Sequence, residues 1–269
     1  MFRHRSMIKT ANINRRLFFK RLGLAGAATL LLGAADAKCL EPHWLKIRRM
    51  RLAAGAPACR FAYFTDLHYK GDRAFAQSVV AAINAESPDF VCFGGDLIEE
   101  GRHLPEALEI ISGIKCPLYG VPGNHDFWSH VSFEPYRKCF AATGGAWLID
   151  ESRKLAGGRV NLIGLACNRA NERPLPLDAS RKNIVLMHYP AWVERFKNQR
   201  CDLMLAGHSH GGQVRLPLIG SLVVPFNVDQ YDMGMFQTAA GPLYVNPGIG
   251  WFYLNVRFNC RPEVTVFEV

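Results

Sequence analysis

The main part of the chain lacks an excess of basic residues, although the 269 residues together carry a net charge of +9. Residues 53–269 contain twenty Lys or Arg and twenty-one Asp or Glu, so this part is near neutral. A groove that binds nucleic acid needs clustered positive charge, and the sequence therefore predicts no nucleic-acid partner. The basic residues are concentrated in residues 1–52, where twelve Lys or Arg face only Asp36 and Glu41.

Cysteine pairs with metal-site spacing are also missing. The eight cysteines include no C-x-x-C pair, which excludes a zinc finger. Cys92 and Cys167 lie within apolar runs and are predicted to be small buried thiols. The sequence contains no internal repeat, and it determines neither a disulfide pairing nor an oligomeric state. Apolar residues make up 49% of the chain, which is enough for a packed core and excludes a disordered protein.

No apolar run near the N-terminus is long enough to span a bilayer comfortably, since Leu22–Ala35 has fourteen residues. Basic residues precede this run and an Ala-Asp-Ala sequence, residues 35–37, follows it, which is typical of an export signal. Residues 15–20, RRLFFK, resemble a twin-arginine signal. Residues 1–37 are therefore predicted to be a twin-arginine-like signal or a membrane anchor.

Residues 38–59 are predicted to be a basic linker or an edge strand, and their contacts are open to more than one interpretation. In an uncleaved anchor, Trp44, Ile47 and Met50 would lie against a membrane surface. Alternatively, residues 44–52 form an edge strand of the folded domain, with Leu45 and Ile47 pointing inward. Both the anchor and the export signal predict a protein that is membrane-associated or exported to the cell envelope.

From residue 60 onward, short apolar runs alternate with segments of helical periodicity. This alternation predicts one α/β domain over residues 60–269, with strands buried on both faces. The predicted helices are Arg73–Glu86 and Leu104–Gly113. The predicted strands of this part are Phe61–Thr65, Phe90–Phe93, Leu118–Val121, Val160–Leu165, Ile184–Met187 and Leu203–Leu205. The last sixty residues predict further strands at Val214–Val224, Leu243–Val245, Leu254–Phe258 and Val264–Val269.

Polar side chains follow five of these strands, at the edge where ligand sites of α/β sheets collect. They are Asp66 and His68, then Asp96, then Asn124, His125 and Asp126, then His188, and finally His208 and His210. Asp, Asn and His together supply the mixed oxygen and nitrogen ligands that Mn, Fe or Zn accept. Each residue alone could be a helix cap or a turn residue, but five of the nine histidines fall in these short blocks. Glu99 and Glu100 are interpreted as solvated charges.

The five blocks, D-x-H, GD, GNHD, H and GHxH, resemble the calcineurin-like metallophosphoesterase family over residues 60–212. The resemblance implies a four-layer α/β/β/α sandwich of two mixed β-sheets flanked by helices. It also implies two divalent metal ions, with Mn favoured and Fe or Zn as alternatives. One ion would be bound by Asp66, His68 and His210, the other by Asn124, His188 and His208, and Asp96 would bridge them.

In the same resemblance, His125 is the general acid or a phosphate-contacting residue, and Asp126 orients and charges its imidazole. The reaction would be hydrolysis of a phosphodiester or pyrophosphate bond by a metal-activated hydroxide. A metal-binding but inactive scaffold is a different class that also exists in this fold. Every residue of the motif is present here, which favours the enzyme.

Residues 207–217, GHSHGGQVRLP, and 259–268, NCRPEVTVFE, resemble the branch of YaeI- and YkuE-type phosphodiesterases. That branch is related to LpxG-type pyrophosphatases, which implies UDP-2,3-diacylglucosamine, a precursor of lipid A, as the best candidate substrate. Residues 225–235, Phe236 and residues 248–253 are candidates for an acyl-binding rim, although Phe226, Phe236 and Trp251 could instead pack the second sheet.

The two interpretations of the N-terminal segment lead to different substrates. UDP-linked precursors are made on the cytosolic face, where an anchor would retain this domain. A cleaved export signal would instead indicate an exported, broad-specificity phosphodiesterase or phosphatase of the envelope. The sequence leaves both open.

Overall fold

The computed structural model describes residues 15–168 and 174–269. The basic residues that precede residue 15, on which the signal-like interpretation partly depends, lie outside this part of the chain. Five α-helices are described: α1 (Arg15–Ala35), α2 (Arg73–Ala85), α3 (Leu104–Ile111), α4 (Asn124–Trp128) and α5 (Glu134–Ala142). A π-helix spans Asp36–Leu40, and 3-10 helices span Glu41–His43, Gly101–His103, Ala156–Gly158, Pro190–Phe196 and His210–Gly212.

Two six-stranded mixed sheets form the centre of the molecule. The first contains β1 (Lys46–Arg51), β2 (Arg60–Phe64), β3 (Phe90–Phe93), β4 (Leu118–Gly120), β5 (Ala146–Trp147) and β14 (Glu263–Glu268). The second contains β6 (Glu151–Leu155), β7 (Val160–Gly164), β8 (Lys182–Leu186), β9 (Leu203–Ala206), β12 (Gly234–Thr238) and β13 (Gly241–Val245). A separate hairpin consists of β10 (Arg215–Leu216) and β11 (Gly220–Ser221).

The strand order is β1-β14-β2-β3-β4-β5 in the first sheet and β12-β13-β9-β8-β7-β6 in the second. Strands β2 to β5 are mutually parallel, as are β7, β8, β9 and β13. The antiparallel pairs lie elsewhere, between β14 and β2 and at the two outer edges of the second sheet. The carboxyl ends of the parallel strands are therefore the places where polar side chains can converge.

Both faces of each sheet are covered, so successive side chains of a strand point into different apolar clusters, and this explains the continuous apolar runs. One cluster lies between the sheets, one beneath the helices of the first sheet and one on the outer face of the second sheet. In β2, Phe61 and Tyr63 pack between the sheets, whereas Ala62 and Phe64 pack against the helices of the first sheet. The outer face of the second sheet packs against the 3-10 helix Pro190–Phe196 and neighbouring loops. The predicted α/β architecture of two mixed sheets with flanking helices is confirmed, as are the six central strands and both predicted helices.

The C-terminal part contains the unpredicted strand β12 and differs from the prediction in two further places. Residues 214–224 contain only the short β10–β11 hairpin, and residues 254–258 form no strand. The second difference has a physical reason, because the chain there wraps around the buried side chain of Arg257, leaving only an isolated bridge between Val214 and Phe258. Helix α5 was not predicted, since it buries only Tyr136 and Phe140 and its apolar pattern is weak.

Residues 46–51 form β1, which pairs with β14 in parallel at the edge of the first sheet. Leu45 and Ile47 pack against the cluster beneath the helices, whereas Trp44 is 59% exposed. This segment is therefore part of the folded domain.

Helix α1 is apolar along most of its length. Within the described part of the chain, one helical stretch, Arg16–His43, has the length and composition needed to cross a membrane. It exceeds the fourteen-residue apolar run because the flanking basic residues and the turns after Ala35 are also helical. An N-terminal signal sequence has the same properties, so export and anchoring both stay predictions.

Arg257 holds the loop that leads from β13 towards the site. Its guanidinium is fully buried and donates hydrogen bonds to the carbonyl oxygens of Pro247 (3.0 Å) and Cys260 (2.8 Å), and also to that of Gly250. The same loop donates a hydrogen bond from the Gly250 amide to the Asp66 carbonyl (2.7 Å).

We expect Arg257→Met to lower the free energy of unfolding by about 3 kcal/mol or more, because several buried carbonyl groups lose their donor. Urea denaturation followed by circular dichroism measures this change. Arg153→Met, at a site that is nearly half exposed, is the matched control and should change stability little. Equal stability of the two variants would contradict the structural role of Arg257.

Candidate active site

The predicted site residues lie in loops that follow five strands. Asp66 and His68 follow β2, Asp96 follows β3, and Asn124 begins α4 after β4. In the second sheet, His188 follows β8, and His208 and His210 follow β9. The structure brings these seven side chains together in one buried centre between the two sheets.

Backbone conformation sets these residues apart. Five of the seven have φ values between +41° and +65°, in the left-handed region: Asp66, His68, Asp96, His208 and His210. Asp and His adopt this region more readily than most residues, but such conformations are uncommon and cluster at functional sites. The chain turns sharply at these positions, so that the side chains point back to one centre.

One cluster consists of Asp66, His68 and His210. The Nε2 atoms of His68 and His210 are 3.1 Å apart, and Asp66 Oδ1 lies 3.7 Å from His210 Nε2 and 3.9 Å from His68 Nε2. All three side chains are buried. Their ligand atoms lie within 4.8 Å of one another, a spacing that suits a single cation.

A second cluster is formed by Asp96, His188 and His208, with Asn124 beside it. His188 Nε2 lies 3.2 Å from Asp96 Oδ2 and 3.0 Å from Asn124 Oδ1. Asp96 Oδ2 is also 3.5 Å from His68 Nε2 of the first cluster. Asp96 therefore lies between the two clusters, at the position predicted for a bridging ligand.

Hydrogen bonds to carbonyl groups orient two of the histidines. His188 Nδ1 donates to the Gly94 carbonyl (2.8 Å), which leaves Nε2 facing Asp96 and Asn124. His208 Nε2 donates to the Phe226 carbonyl (2.9 Å), which leaves its Nδ1 free to act as a ligand. Fixing the tautomer in this way is typical of metal-binding histidines.

The donor set fits two divalent cations. Asp96 Oδ2 and His210 Nδ1 are buried without a hydrogen-bond partner. Two carboxylates, four imidazoles and one amide converge in this space, and this combination of oxygen and nitrogen ligands suits Mn, Fe or Zn. A cation beside Asp96 would satisfy the unpartnered oxygen and compensate the buried charge.

The raised pKa of His188 and the lowered pKa of Asp96 show that this centre favours positive charge. Burial disfavours the protonated form of His188, yet the Asp96 carboxylate raises the pKa of His188 to about 9. Burial alone would raise the pKa of Asp96, but His188 and His68 hold it below its ordinary value. Burial likewise disfavours the ionised form of Asp66, but His210 and His68 lower its pKa, so both buried carboxylates remain ionised and attract cations.

Asp126 was expected to orient and charge the imidazole of His125, but its carboxylate bonds to other groups. It accepts hydrogen bonds from the backbone amides of Asp96 (2.8 Å), Leu97 (3.0 Å) and Gly123 (2.9 Å), and from the Tyr136 hydroxyl (3.0 Å). The Gly123 amide points at this carboxylate because Asp126 closes the first turn of α4, whereas the amides of Asp96 and Leu97 belong to the loop after β3. Asp126 thus ties the loop after β4 to the loop that carries Asp96.

His125 lies at the entrance of the centre and is partly exposed. Its ring centroid is 4.8 Å from that of His68 and 5.2 Å from that of Phe252. Burial lowers the pKa of His125, so its imidazole is mainly neutral at pH 7 and can donate one N–H bond. His125, His68 and Asp96 also place ligand atoms within 4.8 Å of one another, so His125 is close to the predicted metal ligands.

Glu99 was not expected at the site. Its Oε1 lies 3.0 Å from His68 Nδ1 and 2.8 Å from Lys70 Nζ, and its side chain is 23% exposed. The parallel bridge between Tyr69 and Ile98 explains this position, since it places Glu99 beside the segment that carries His68. The sequence signal was a carboxylate three residues after Asp96, which alone is too weak to separate from a solvated charge.

Glycine is required where the loops meet. A Cβ atom on Gly123 would lie 2.1 Å from Asp96 Oδ1, and one on Gly207 would lie 2.3 Å from Asp66 Oδ2. Both distances are far shorter than any real contact. A larger residue at either position would therefore prevent these loops from packing so closely against the two carboxylates.

A pocket of 260 Å³ connects the centre to the surface. Its walls include His125 and His208, and its rim is formed by Trp128, Pro225, Phe226, Phe252 and Tyr253. Four of these five residues belong to the segments predicted as an acyl-binding rim, and Trp128 is an addition.

The alternative, that the aromatic residues pack the second sheet, holds only for Phe236. Phe236 packs against the outer cluster of that sheet and contacts Tyr231. Phe226 is 55% exposed and lies over His208. Trp251 lies under the ammonium group of Lys70, which is 3.5 Å from the ring centroid.

Comparison with known proteins connects this geometry to a family. Residues 59–212 match the calcineurin-like phosphoesterase family, a range that contains every predicted metal ligand. The chain is 28% identical to the metallophosphoesterase YkuE of Bacillus subtilis, covering 96% of this chain and 98% of YkuE. It is 29% identical to the phosphodiesterase YaeI of Escherichia coli, covering 96% and 99% of the two chains.

A more distant relative is the UDP-2,3-diacylglucosamine pyrophosphatase LpxG of Chlamydia trachomatis, which is 22% identical over 93% of this chain and 98% of LpxG. The matched range exceeds half of the chain, and the resemblance predicted from the motif blocks is confirmed. The chain belongs to the calcineurin-like phosphoesterase family and is a metal-dependent phosphoester hydrolase.

Proposed function

We propose that this chain hydrolyses a phosphodiester or pyrophosphate bond in a lipid-linked substrate at a membrane surface. UDP-2,3-diacylglucosamine, the substrate in the name of the relative LpxG, is the best candidate. The observation that carries this proposal is the pocket, in which a polar centre of metal ligands opens directly onto an aromatic rim. A substrate that joins a charged phosphate group to acyl chains matches both parts of this pocket.

The residues of the centre have separate tasks. Asp66, His68 and His210 would hold one divalent cation, and Asn124, His188 and His208 the other, with Asp96 between them. Bound cations supply positive charge for the phosphoryl oxygens and lower the pKa of water. We favour Mn for this mixed ligand set, with Fe and Zn as alternatives.

His125 is the residue placed to act on the substrate itself. It lines the same pocket as His208 and Asn124, but its partly exposed ring faces the rim. From this position the neutral imidazole can donate a hydrogen bond to a substrate oxygen, and its protonated form can act as the general acid. Asp126 acts indirectly, because it holds the Asp96 loop and the first turn of α4 in register.

The rim residues would bind the apolar part of the substrate. Trp128 and Phe226 lie side by side, with ring centroids 6.4 Å apart, and Phe252 and Tyr253 line the same pocket. Apolar walls of this kind also exclude bulk water from the reacting phosphate, which strengthens electrostatic interactions there.

Residues 1–37 act in this proposal as the segment that keeps the hydrolase domain, which begins with β1, at the membrane. Helix α1 and the turns after it have the required length and composition. A second candidate is an exported envelope phosphodiesterase of broad specificity. It is favoured by the higher identity to YaeI, whose name states only a phosphodiesterase, than to LpxG.

An assay of the purified full chain with Mn²⁺ separates these candidates. We expect release of UMP from UDP-2,3-diacylglucosamine in detergent micelles, with much slower hydrolysis of bis-p-nitrophenyl phosphate. Fast hydrolysis of the soluble diester alone would support the broad-specificity enzyme. Turnover of neither substrate by metal-loaded protein would contradict the proposal.

Replacement of His125 by Ala should lower kcat by about 10²–10⁴-fold, the usual contribution of a positioned acid or base. Metal content should stay unchanged, because His125 is not among the proposed ligands. His130→Ala, five residues away and exposed, is the matched control and should retain activity. Unchanged turnover in His125→Ala would remove this residue from the reaction, and loss of metal would make it a ligand.

Replacement of Asp96 by Asn removes the charge between the two clusters while keeping the size of the side chain. We expect the metal content, measured by mass spectrometry of the purified protein, to fall from about two ions per chain to about one or none. Asp202→Asn is the matched control, since Asp202 precedes β9 at the end remote from the site. Two fully retained ions in Asp96→Asn would refute the bridging role.

A further inference from the structure

An uncharged apolar segment projects from the molecule beside the pocket. Residues 216–226, LPLIGSLVVPF, contain no charged side chain and include the β10–β11 hairpin except for its first residue, Arg215. We call this segment the apolar tip. Leu218 is fully exposed, Ile219 is 71% exposed and Val223 is 76% exposed. A cluster of large exposed apolar side chains on a folded domain is costly in water and marks an interaction surface.

The base of the apolar tip is fixed and electrically neutral. Arg215, immediately before it, forms an ion pair with Asp232 at 2.7 Å. Asp232 also accepts a hydrogen bond from the Ser221 hydroxyl (2.9 Å), within the tip itself. The tip is therefore held in a defined position, and its exposed apolar side chains have no charged group among them.

The same segment of chain attaches the apolar tip and helix α1. The Arg215 amide donates to the Phe258 carbonyl (2.9 Å), next to the bridge between Val214 and Phe258. On the other side, the Arg257 amide donates to the Ala37 carbonyl (2.9 Å), and Lys38 Nζ donates to the Asn255 carbonyl (3.2 Å). Residues 255–258 therefore connect the tip to the end of the helix that has the properties of a membrane span.

The apolar tip also forms part of the entrance to the site. Its last two residues, Pro225 and Phe226, line the pocket of the metal centre. Tyr253, which lines the same pocket, is 81% exposed, Leu254 is 69% exposed, and residues 250–254 carry no charge either. The exposed apolar surface is thus continuous around the mouth of the pocket.

We propose that the apolar tip inserts into the surface of a lipid bilayer, so that the mouth of the pocket faces the acyl chains. A bilayer is favoured over a protein partner because the tip is joined to a helix with the length and composition of a membrane span, which would hold the tip at the same surface. The inference rests on the proposed function for the nature of the substrate, but not for the insertion itself. A substrate would then reach the metal centre without leaving the lipid phase.

Fluorescence quenching tests the insertion directly. In Leu218→Trp, a new fluorophore lies at the end of the tip. In the control Leu52→Trp, the new tryptophan replaces an exposed leucine after β1, at the opposite end of the first sheet from the site.

The full chain of each variant is reconstituted into vesicles of phosphatidylcholine with brominated acyl chains, and wild-type fluorescence is subtracted. We expect strong quenching of the added signal in Leu218→Trp and little in Leu52→Trp. Equal, weak quenching of both would overturn the proposal and leave the tip as a surface for a protein partner.

Activity gives a second readout that separates insertion from the proposed reaction. In the double variant Leu218→Ser with Ile219→Ser, we expect about tenfold slower turnover of UDP-2,3-diacylglucosamine presented in vesicles, because two apolar side chains no longer enter the lipid. Hydrolysis of soluble bis-p-nitrophenyl phosphate by the double variant should match that of the wild type, and the control Leu52→Ser should match the wild type on both substrates.

Equal turnover of the vesicle substrate by the double variant and the wild type would contradict the proposal. Failure of the wild type on both substrates would contradict the proposed function, and quenching would still decide the insertion.

Discussion

The buried charge of two carboxylates is the constraint on which the site depends. Asp66 and Asp96 are almost completely buried where the ends of two sheets meet. Ionised carboxylates are costly in such surroundings unless cations or hydrogen-bond donors compensate them. Part of the compensation comes from the chain itself, since the His208 amide donates to Asp66 and the His125 amide to Asp96. The rest fits cations held by the histidines, and the left-handed turns, the close-packed glycines and the carboxylate of Asp126 all position these groups.

Much of this centre could be predicted because each ligand follows a strand, and strand ends are marked in the sequence by the change from apolar to polar residues. The seven candidate metal ligands were identified from the order of the motif blocks. The role of Asp126 was not, because a carboxylate next to a histidine in the sequence gives no information about which amides surround it. Glu99 was missed for a similar reason, since only the bridge between Tyr69 and Ile98 brings it to His68. The exposure of Phe226 could not be predicted either, because an aromatic residue in an apolar run has the same pattern at a surface as in a core.

If the proposed function holds, the basic N-terminal segment and the apolar tip both act at the membrane surface. The +10 segment at the N-terminus and the uncharged residues 216–226 both bear on the relation of the protein to a membrane, whereas the near-neutral domain carries the chemistry. Residues 255–258 join these regions, and Arg257 within them also holds the loop beside Asp66. In these proposals, membrane contact, pocket entrance and metal centre are connected by one short segment that contains the buried side chain of Arg257.

The central claim is that Asp96 lies between two cations. A crystal structure of the protein prepared with Mn²⁺, with anomalous scattering recorded at the manganese edge, tests it most directly. We predict two anomalous peaks on opposite sides of Asp96, one in contact with Asp66, His68 and His210, and the other in contact with Asn124, His188 and His208. A single peak, or two peaks of which one does not contact Asp96, would contradict the account.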